Sequence, residues 1–180
     1  TALVRAVQFR LQDPTIISGG RDSTLILWNS DGSHDQMKFS GRIKTISALQ
    51  NESYCYVGCE NGQVYRVDLK NKTFGPFAAR ESSRAEKIVQ SETGDIVAIA
   101  FSDGVIQILN KAGNKIKELS SIGAPLDLII DKKNELLIIA SSAKLIQFYT
   151  LSNLNMRPID VKLNSQMKGM DLDPVTQNLY

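Results

Sequence analysis

Hydrophobic and polar residues along this chain recur in one order, about every forty residues. Each repeat opens with an apolar residue, a second three positions later and usually a third two positions after that, as at Val4, Val7 and Phe9. The pattern starts again at positions 43, 85, 125 and 167, with spacings of 39, 42, 40 and 42 residues. A second feature, the end of a β-branched stretch, falls at positions 28, 67, 109 and 149 and has spacings of 39, 42 and 40. Two features with one period indicate a structural repeat.

Each repeat contains four short stretches with the composition of β-strands, separated by polar turns. After the alternating first stretch, a dense apolar run is predicted at 15–19, 54–58, 96–100 and 136–140. A β-branched stretch follows at 24–28, 63–67, 105–109 and 145–149, and a more polar closing stretch around 37–39, 73–77, 116–119 and 158–161. No window has the sustained 3.6-residue period of a helix longer than two turns. The sequence therefore predicts an all-β chain of four-stranded antiparallel sheets.

Two sets of equivalent positions have an architectural interpretation. The dense runs end on small residues, namely Gly19, Gly58, Ala100 and Ala140. A residue without bulk at these positions lets neighbouring sheets pack face to face. Short polar residues precede the third stretch at Asp22, Asn61 and Asp103, with Ala143 in the fourth repeat. Such side chains bond to nearby backbone N–H groups and hold tight turns.

The segment from Ser18 to Asn29, which reads Ser-Gly-Gly-Arg-Asp-Ser-Thr-Leu-Ile-Leu-Trp-Asn, resembles the signature of the WD-repeat family. Val67-Asp68 and Leu109-Asn110 are degenerate copies of its end. The family's Gly-His pair before each first strand is missing, and the sole histidine, His34, lies in a polar stretch that we interpret as a solvated turn. The resemblance implies a β-propeller of atypical repeats, in which the family's His–Ser–Asp–Trp hydrogen-bond network cannot form and apolar packing supplies most of the stability.

The resemblance also implies how the domain is organised. We expect blades at about 1–41, 42–82, 83–123 and 124–164, and an incomplete fifth at 165–180. That is about 4.5 blades of a propeller that typically has seven. We therefore expect an internal segment of a longer protein, which would expose sheet edges and self-associate if expressed alone. A weaker resemblance, to echinoderm microtubule-associated protein-like propellers, is carried by residues 19–22 and 25–29.

Composition argues against several classes of function. A formal charge of +2 is too small to indicate a nucleic-acid or membrane partner through long-range electrostatics. A hydrolase triad would have to use His34, which falls in the polar stretch that we interpret as a solvated turn. One histidine and two misaligned cysteines are too few for a His/Cys metal site. Neither a GxGxxG motif nor a phosphate-binding P-loop occurs. We therefore expect no enzymatic activity, no cofactor, no bound metal, no small-molecule substrate and no membrane contact.

The two cysteines, Cys55 and Cys59, lie four residues apart in one predicted strand. At about 3.3 Å per residue, their Cα atoms would be roughly 13 Å apart. A disulfide needs Cα atoms within about 7 Å of each other, so we predict two free thiols. Free thiols favour a reducing compartment and hence an intracellular, cytoplasmic protein, with a nuclear location left open.

The function predicted from these observations is a non-catalytic protein–protein interaction scaffold within a larger intracellular assembly. The alternative is a binder of a polymer, either a microtubule or a ribonucleoprotein. In the WD-repeat family, loops that enter first strands and loops between second and third strands emerge on one rim, where partner recognition concentrates. The candidates at those positions are Arg21, Arg42, Lys44, Glu60, Arg84 and Ser102. Aromatic residues such as Phe101 fall on predicted strands and offer no stacking surface, so nucleic acid has no support as a partner.

Overall fold

The structure is a computed structural model, and it describes residues 3–131, 133–165, 167–173, 175–176 and 178–180. Its strands group into four antiparallel sheets of four consecutive strands each. Sheet 1 contains β1 (Val4–Phe9), β2 (Ile16–Gly20), β3 (Thr24–Trp28) and β4 (His34–Lys38). Sheet 2 contains β5 (Ile43–Ala48), β6 (Tyr54–Cys59), β7 (Gln63–Asp68) and β8 (Thr73–Ala79). Sheet 3 contains β9 (Ala85–Gln90), β10 (Ile96–Phe101), β11 (Val105–Asn110) and β12 (Lys115–Ser120), and sheet 4 contains β13 (Pro125–Asp131), β14 (Leu136–Ser141), β15 (Leu145–Thr150) and β16 (Ile159–Lys162).

The prediction of an all-β chain of four-stranded sheets is confirmed. The helical structure within the described residues is a single 3₁₀ turn, Leu151–Asn153. No helix in the described part of the chain is long and apolar enough to cross a membrane.

Burial along the strands follows their position in each sheet. The second strand of a sheet is flanked by two strands, and β6 is accordingly buried at all six residues. The fourth strand is an edge with one hydrogen-bonded neighbour, and β16 is exposed at all four residues. Dense apolar runs therefore form the inner strands, and the polar closing stretches form the edges.

The chain divides into two compact units, Thr1–Ile88 and Val89–Tyr180. In the first unit, one apolar core joins sheets 1 and 2 and includes Ile17, Leu27, Ile43 and Val57. The close approach of the sheets depends on Gly19, because a Cβ there would lie 2.6 Å from Cγ2 of Ile43. The predicted role of the small residues is confirmed at this position.

In the second unit, a separate apolar core joins sheets 3 and 4. It includes Ala100 and Ile108 from sheet 3 and Leu128 and Ile139 from sheet 4. Each of these four side chains is at most 1% exposed. Apolar faces from consecutive repeats therefore bury one another, as the forty-residue period predicts.

The polar turn residues act as predicted. Asp22 accepts a hydrogen bond from the backbone N–H of Thr24 at 3.2 Å. Asn61 and Asp103 each accept one at 3.3 Å from the residue two positions later. The side chain thus replaces a backbone acceptor and holds the turn before the third strand.

One prediction about the first repeat is corrected. His34 is not in a solvated turn: it begins β4 and lies opposite Trp28 in the ladder, because the turn ends at Ser33. One bond of the kind found in the family's network is present, since the Trp28 indole N–H donates to the hydroxyl of Ser18 at 2.9 Å and that bond needs no histidine.

The predicted fifth blade stays a prediction. Gln166, Pro174 and Gln177 lie outside the described residues. The β-structure among the described residues of 165–180 is one isolated antiparallel bridge, between Leu172 and Leu179.

Candidate functional site

The first strands of sheets 1, 2 and 4 each begin with a β-bulge at the same place in the repeat. In sheet 1, Val4 pairs with Gly20 and Ala6 with Gly19, so Arg5 is the extra residue. In sheet 2 the extra residue is Lys44, and in sheet 4 it is Leu126. A bulge bends its strand and changes the direction of the side chain at that position. In the first two sheets the side chain concerned is a cation.

Arg5 and Lys44 belong to a group of six charged residues in the first unit, which we call the charged row. Its members are Arg5, Arg42, Lys44, Glu60, Arg84 and Glu86. The first half of the row is centred on Glu60, directly after β6. Arg5 and Arg42 each place a guanidinium nitrogen 3.9 Å from one of the two carboxylate oxygens of Glu60.

The second half of the charged row is centred on Glu86, on β9. Lys44 Nζ lies 2.8 Å from Oε2 of Glu86, and Arg84 Nε donates to Oε1 at 2.9 Å. The hydrogen bond and the charge of Glu86 raise the pKa of Arg84, and the carboxylate of Glu60 adds a smaller contribution that links the two halves. Each carboxylate is thus held between two cations.

The pKa of Glu86 shows which of two opposing effects is stronger. Burial of its carboxyl group raises the pKa, since the charged form loses hydration. Hydrogen bonds from Lys44 and Arg84 lower it, and the net pKa lies below the ordinary value of 4.5. Glu86 is therefore an anion at neutral pH, although its side chain is only 15% exposed.

Exposure separates the members of the charged row into two kinds. Arg42 and Arg84 are 61% and 57% exposed, whereas Glu60 and Glu86 are 23% and 15% exposed. Four cations and two carboxylates leave the row with a surplus of two positive charges. Each carboxylate contacts one guanidinium nitrogen of its arginine, and more than half of each arginine side chain is exposed. The remaining guanidinium donors suit hydrogen bonds with a partner's acceptors.

Four of the six residues predicted for partner binding belong to the charged row: Arg42, Lys44, Glu60 and Arg84. Arg21 is exposed in the β2–β3 turn, and its backbone N–H donates to the carbonyl of Leu3 at 3.0 Å. Ser102 is half-buried in the second unit, in the β10–β11 turn. Arg21 forms no ion pair with a member of the row among the described residues, and partner binding by all six stays a prediction.

Two members of the row, Arg5 and Glu86, were missed by the sequence prediction. A signal for both was present, because they occupy the same register position as Lys44. Each follows the first apolar residue of its repeat, at Val4, Ile43 and Ala85. The prediction took its candidates from loops, including those that enter the first strands. In sheet 1 a bulge gives Arg5, on the first strand itself, a loop-like position.

The described part of the chain does not bring together groups suited to catalysis or metal binding. No three His, Cys, Asp or Glu residues of the described ranges are close enough to hold a metal ion. Cys55 and Cys59 are free thiols, as predicted. Burial raises the pKa of each to about 12, so neither supplies a thiolate nucleophile near neutral pH.

Comparison with known proteins places the fold. No family model matches the sequence, and no curated protein matches it. A chain in the crystal structure of a mitotic checkpoint complex matches with a TM-score of 0.84 at 16% sequence identity. The four sheets have the fold of WD40-like β-propeller blades. The match covers 95% of this chain and 56% of that one, so this chain spans about half the length of the chain it matches.

The match identifies the fold and leaves the function open. Structures of 1565 chains match, and one fold of this kind carries many unrelated functions. The predicted fold class, a partial β-propeller of four-stranded antiparallel blades, is confirmed. The atypical character of the repeats and the resemblance to echinoderm microtubule-associated protein-like propellers stay predictions.

Proposed function

We propose that this chain is a non-catalytic protein–protein interaction scaffold in an intracellular assembly, and that its partner binds the charged row. The observation that carries the proposal is the pair of arginines, Arg42 and Arg84, which are held by half-buried carboxylates and have side chains that are more than half exposed. Arginine is enriched at the energetic centres of protein interfaces.

Electrostatics favour an acidic surface on the partner. The surplus of two positive charges in the row attracts carboxylates and guides their approach. The fold supports a scaffold role too, because the matched chain belongs to a multi-protein complex. The two buried free thiols support an intracellular location.

The test is charge reversal at the two exposed arginines, Arg42→Glu with Arg84→Glu. The matched control reverses two exposed cations of the second unit, Arg157→Glu with Lys162→Glu. Each variant of the intact protein is purified from cell extract with its bound proteins, which are quantified by mass spectrometry. We expect the row variant to lose partners that the wild type and the control retain, at an unchanged melting temperature.

Arg21→Glu, as a separate variant, tests the remaining exposed arginine among the predicted residues. If the row variant retains every partner of the wild type, the charged row is not the interface. A loss of binding in the control as well would assign the effect to total charge and contradict the proposal. A steep decrease of partner binding with salt concentration, equal for acidic proteins and nucleic acid, would favour the polymer-binding alternative.

A further inference from the structure

A cleft of about 320 Å³ lies between sheets 1 and 2, within the first unit. Its lining includes Arg10, Asp13, Asn29, Ser53, Leu69 and Lys70. Arg10 directly follows the last residue of β1, whereas Arg5 of the charged row lies near the start of that strand. The cleft and the charged row therefore lie at opposite ends of β1, and a ligand in the cleft is independent of the function proposed for the row.

Arg10 is unusually buried for an arginine, because it is only 2% exposed. Its Nη2 donates to the backbone carbonyls of Glu52 at 2.6 Å and Gln50 at 3.5 Å. Its Nε and Nη1 are buried and have no acceptor among the described residues. Two donors of a permanently charged group are thus left without a partner, and such groups call for an explanation.

The charge of Arg10 also lacks a counter-ion. Among the described residues no carboxylate lies within 4.0 Å of its guanidinium, and burial lowers its pKa. A buried charge without an opposite charge is strongly destabilising. The group remains protonated at physiological pH even so, since the ordinary pKa of a guanidinium is far above neutrality.

The acidic residue of the cleft does not neutralise Arg10. The carboxylate of Asp13 accepts hydrogen bonds from the backbone N–H and the hydroxyl of Ser30, at 2.9 and 3.0 Å. Lys70 is an exposed second cation of the lining. With Arg10 and Lys70 against Asp13, the named lining residues carry a surplus of one positive charge.

The second unit provides an internal comparison, because sheets 3 and 4 form a cleft of about 370 Å³ at the equivalent place. The residue after β9 is Ser91, at the position of Arg10, and the second residue after β15 is Ser152, at the position of Lys70. Ser91 is satisfied locally, since its hydroxyl accepts a hydrogen bond from the N–H of Ile96 at 3.1 Å. The fold therefore forms a cleft in both units. The cleft between sheets 1 and 2 differs in having two cations, where the cleft between sheets 3 and 4 has two serines.

We propose that the cleft between sheets 1 and 2 binds an oxyanion, a carboxylate or a phosphate group, with Arg10 as the buried counter-charge and Lys70 at the exposed side. Because Nε and Nη1 of Arg10 are themselves buried, the oxyanion acts on Arg10 through its negative charge, and the exposed Lys70 donates the hydrogen bond to it. Asn29 and Ser53 line the same cleft and add neutral polar groups.

Isothermal titration calorimetry of the intact protein tests the proposal, with inorganic phosphate and with glutarate as separate probes at one ionic strength set with chloride. We expect saturable 1:1 binding of at least one probe, and the comparison distinguishes phosphate from carboxylate. Lys70→Ser, which installs the residue of the equivalent cleft, should weaken binding about tenfold, the loss of one charge-assisted hydrogen bond. Lys162→Ser makes the same change on an exposed residue of β16 and should leave binding unchanged.

Arg10→Gln removes the buried charge, and a thermal melt shows whether the variant folds. In the wild type the bound probe should raise the melting temperature, because it binds only the native state. A folded Arg10→Gln variant should lose that rise. If this variant does not fold, the wild-type titration and Lys70→Ser decide. The proposal is overturned if neither probe binds saturably, or if Lys70→Ser binds as tightly as the wild type.

Discussion

The indole N–H of Trp28 donates a 2.9 Å hydrogen bond to the hydroxyl of Ser18, across the two central strands of sheet 1. Trp28 lies opposite Ile16 in the β2–β3 ladder, so Ser18 is its diagonal neighbour. The other side of the contact is aromatic, with the rings of Trp28 and His34 centred 5.2 Å apart. A hydrogen bond and a ring contact therefore position one half-exposed tryptophan on the first repeat.

Removing either partner of this bond should destabilise the protein. We expect Ser18→Ala and Trp28→Phe each to lower the free energy of unfolding, with a hydrogen-bond contribution of about 1 kcal/mol. Urea unfolding of both single variants and the double variant completes a double-mutant cycle. The double variant should lose less stability than the sum of the two single variants, since the second substitution removes a bond already lost. Strictly additive effects would show that the hydrogen bond contributes nothing to stability.

The sequence predicted the sheets well because strand position and composition are coupled through burial. A central strand such as β6 must be apolar throughout, and that dense run is visible in the sequence. The sequence predicted the directions and burial of individual side chains less well. The direction of Arg5 depends on a bulge, and a bulge is a property of pairing between two strands. The burial of Arg10 runs against the usual exposure of arginine, and no local pattern indicates it.

The packing between repeats predicts a large effect of one methyl group at Gly58. A Cβ there would lie 2.7 Å from Cγ2 of Thr45 and 2.9 Å from Cβ of Ala85. Gly58→Ala should therefore lower the free energy of unfolding by about 1–3 kcal/mol through overpacking. Gly75→Ala is the matched control, because nothing lies within 4 Å of its added Cβ. Chemical denaturation measures both.

A second substitution sharpens this test. Thr45→Ser removes the nearest clashing methyl group and should recover part of the stability lost in Gly58→Ala. If Gly58→Ala is as stable as Gly75→Ala, the sheets do not approach as closely as the structure shows.

The buried thiols predict a slow reaction with cysteine reagents. Cys55 and Cys59 are both 0% exposed, and burial raises the pKa of each from the ordinary 9.0 to about 12. Ellman's reagent at about pH 8 should label neither thiol in the native protein and both after denaturation, since the thiolate is the nucleophile. Rapid labelling of either residue in the native state would contradict the burial.

The same pKa shifts predict how stability changes in alkali. The native state favours the neutral thiols, so their contribution is fully present below the unfolded pKa of 9.0 and is lost as pH rises towards about 12. Urea unfolding across this range should show a falling free energy of unfolding. Cys55→Ala with Cys59→Ala should reduce the slope, and part of it should remain because burial also raises the pKa of Tyr56. An unchanged slope in the double variant would contradict the assignment.

For Glu86 we expect the opposite pH dependence, in which the stability of the protein falls in acid. Its native pKa lies below the ordinary 4.5, because the hydrogen bonds from Lys44 and Arg84 outweigh the effect of burial. The stabilisation is therefore present above the unfolded pKa and is lost as pH falls through the native pKa. Glu86→Gln should cost about 1 kcal/mol of unfolding free energy at about pH 7, and the difference from the wild type should shrink as the pH falls through the native pKa of Glu86, because the carboxyl group then becomes neutral. Glu81→Gln, at an exposed carboxylate nearby, should change stability little at either pH. If Glu86→Gln costs as much in acid as at neutrality, its effect comes from packing, and the two cations do not hold an anion at this position.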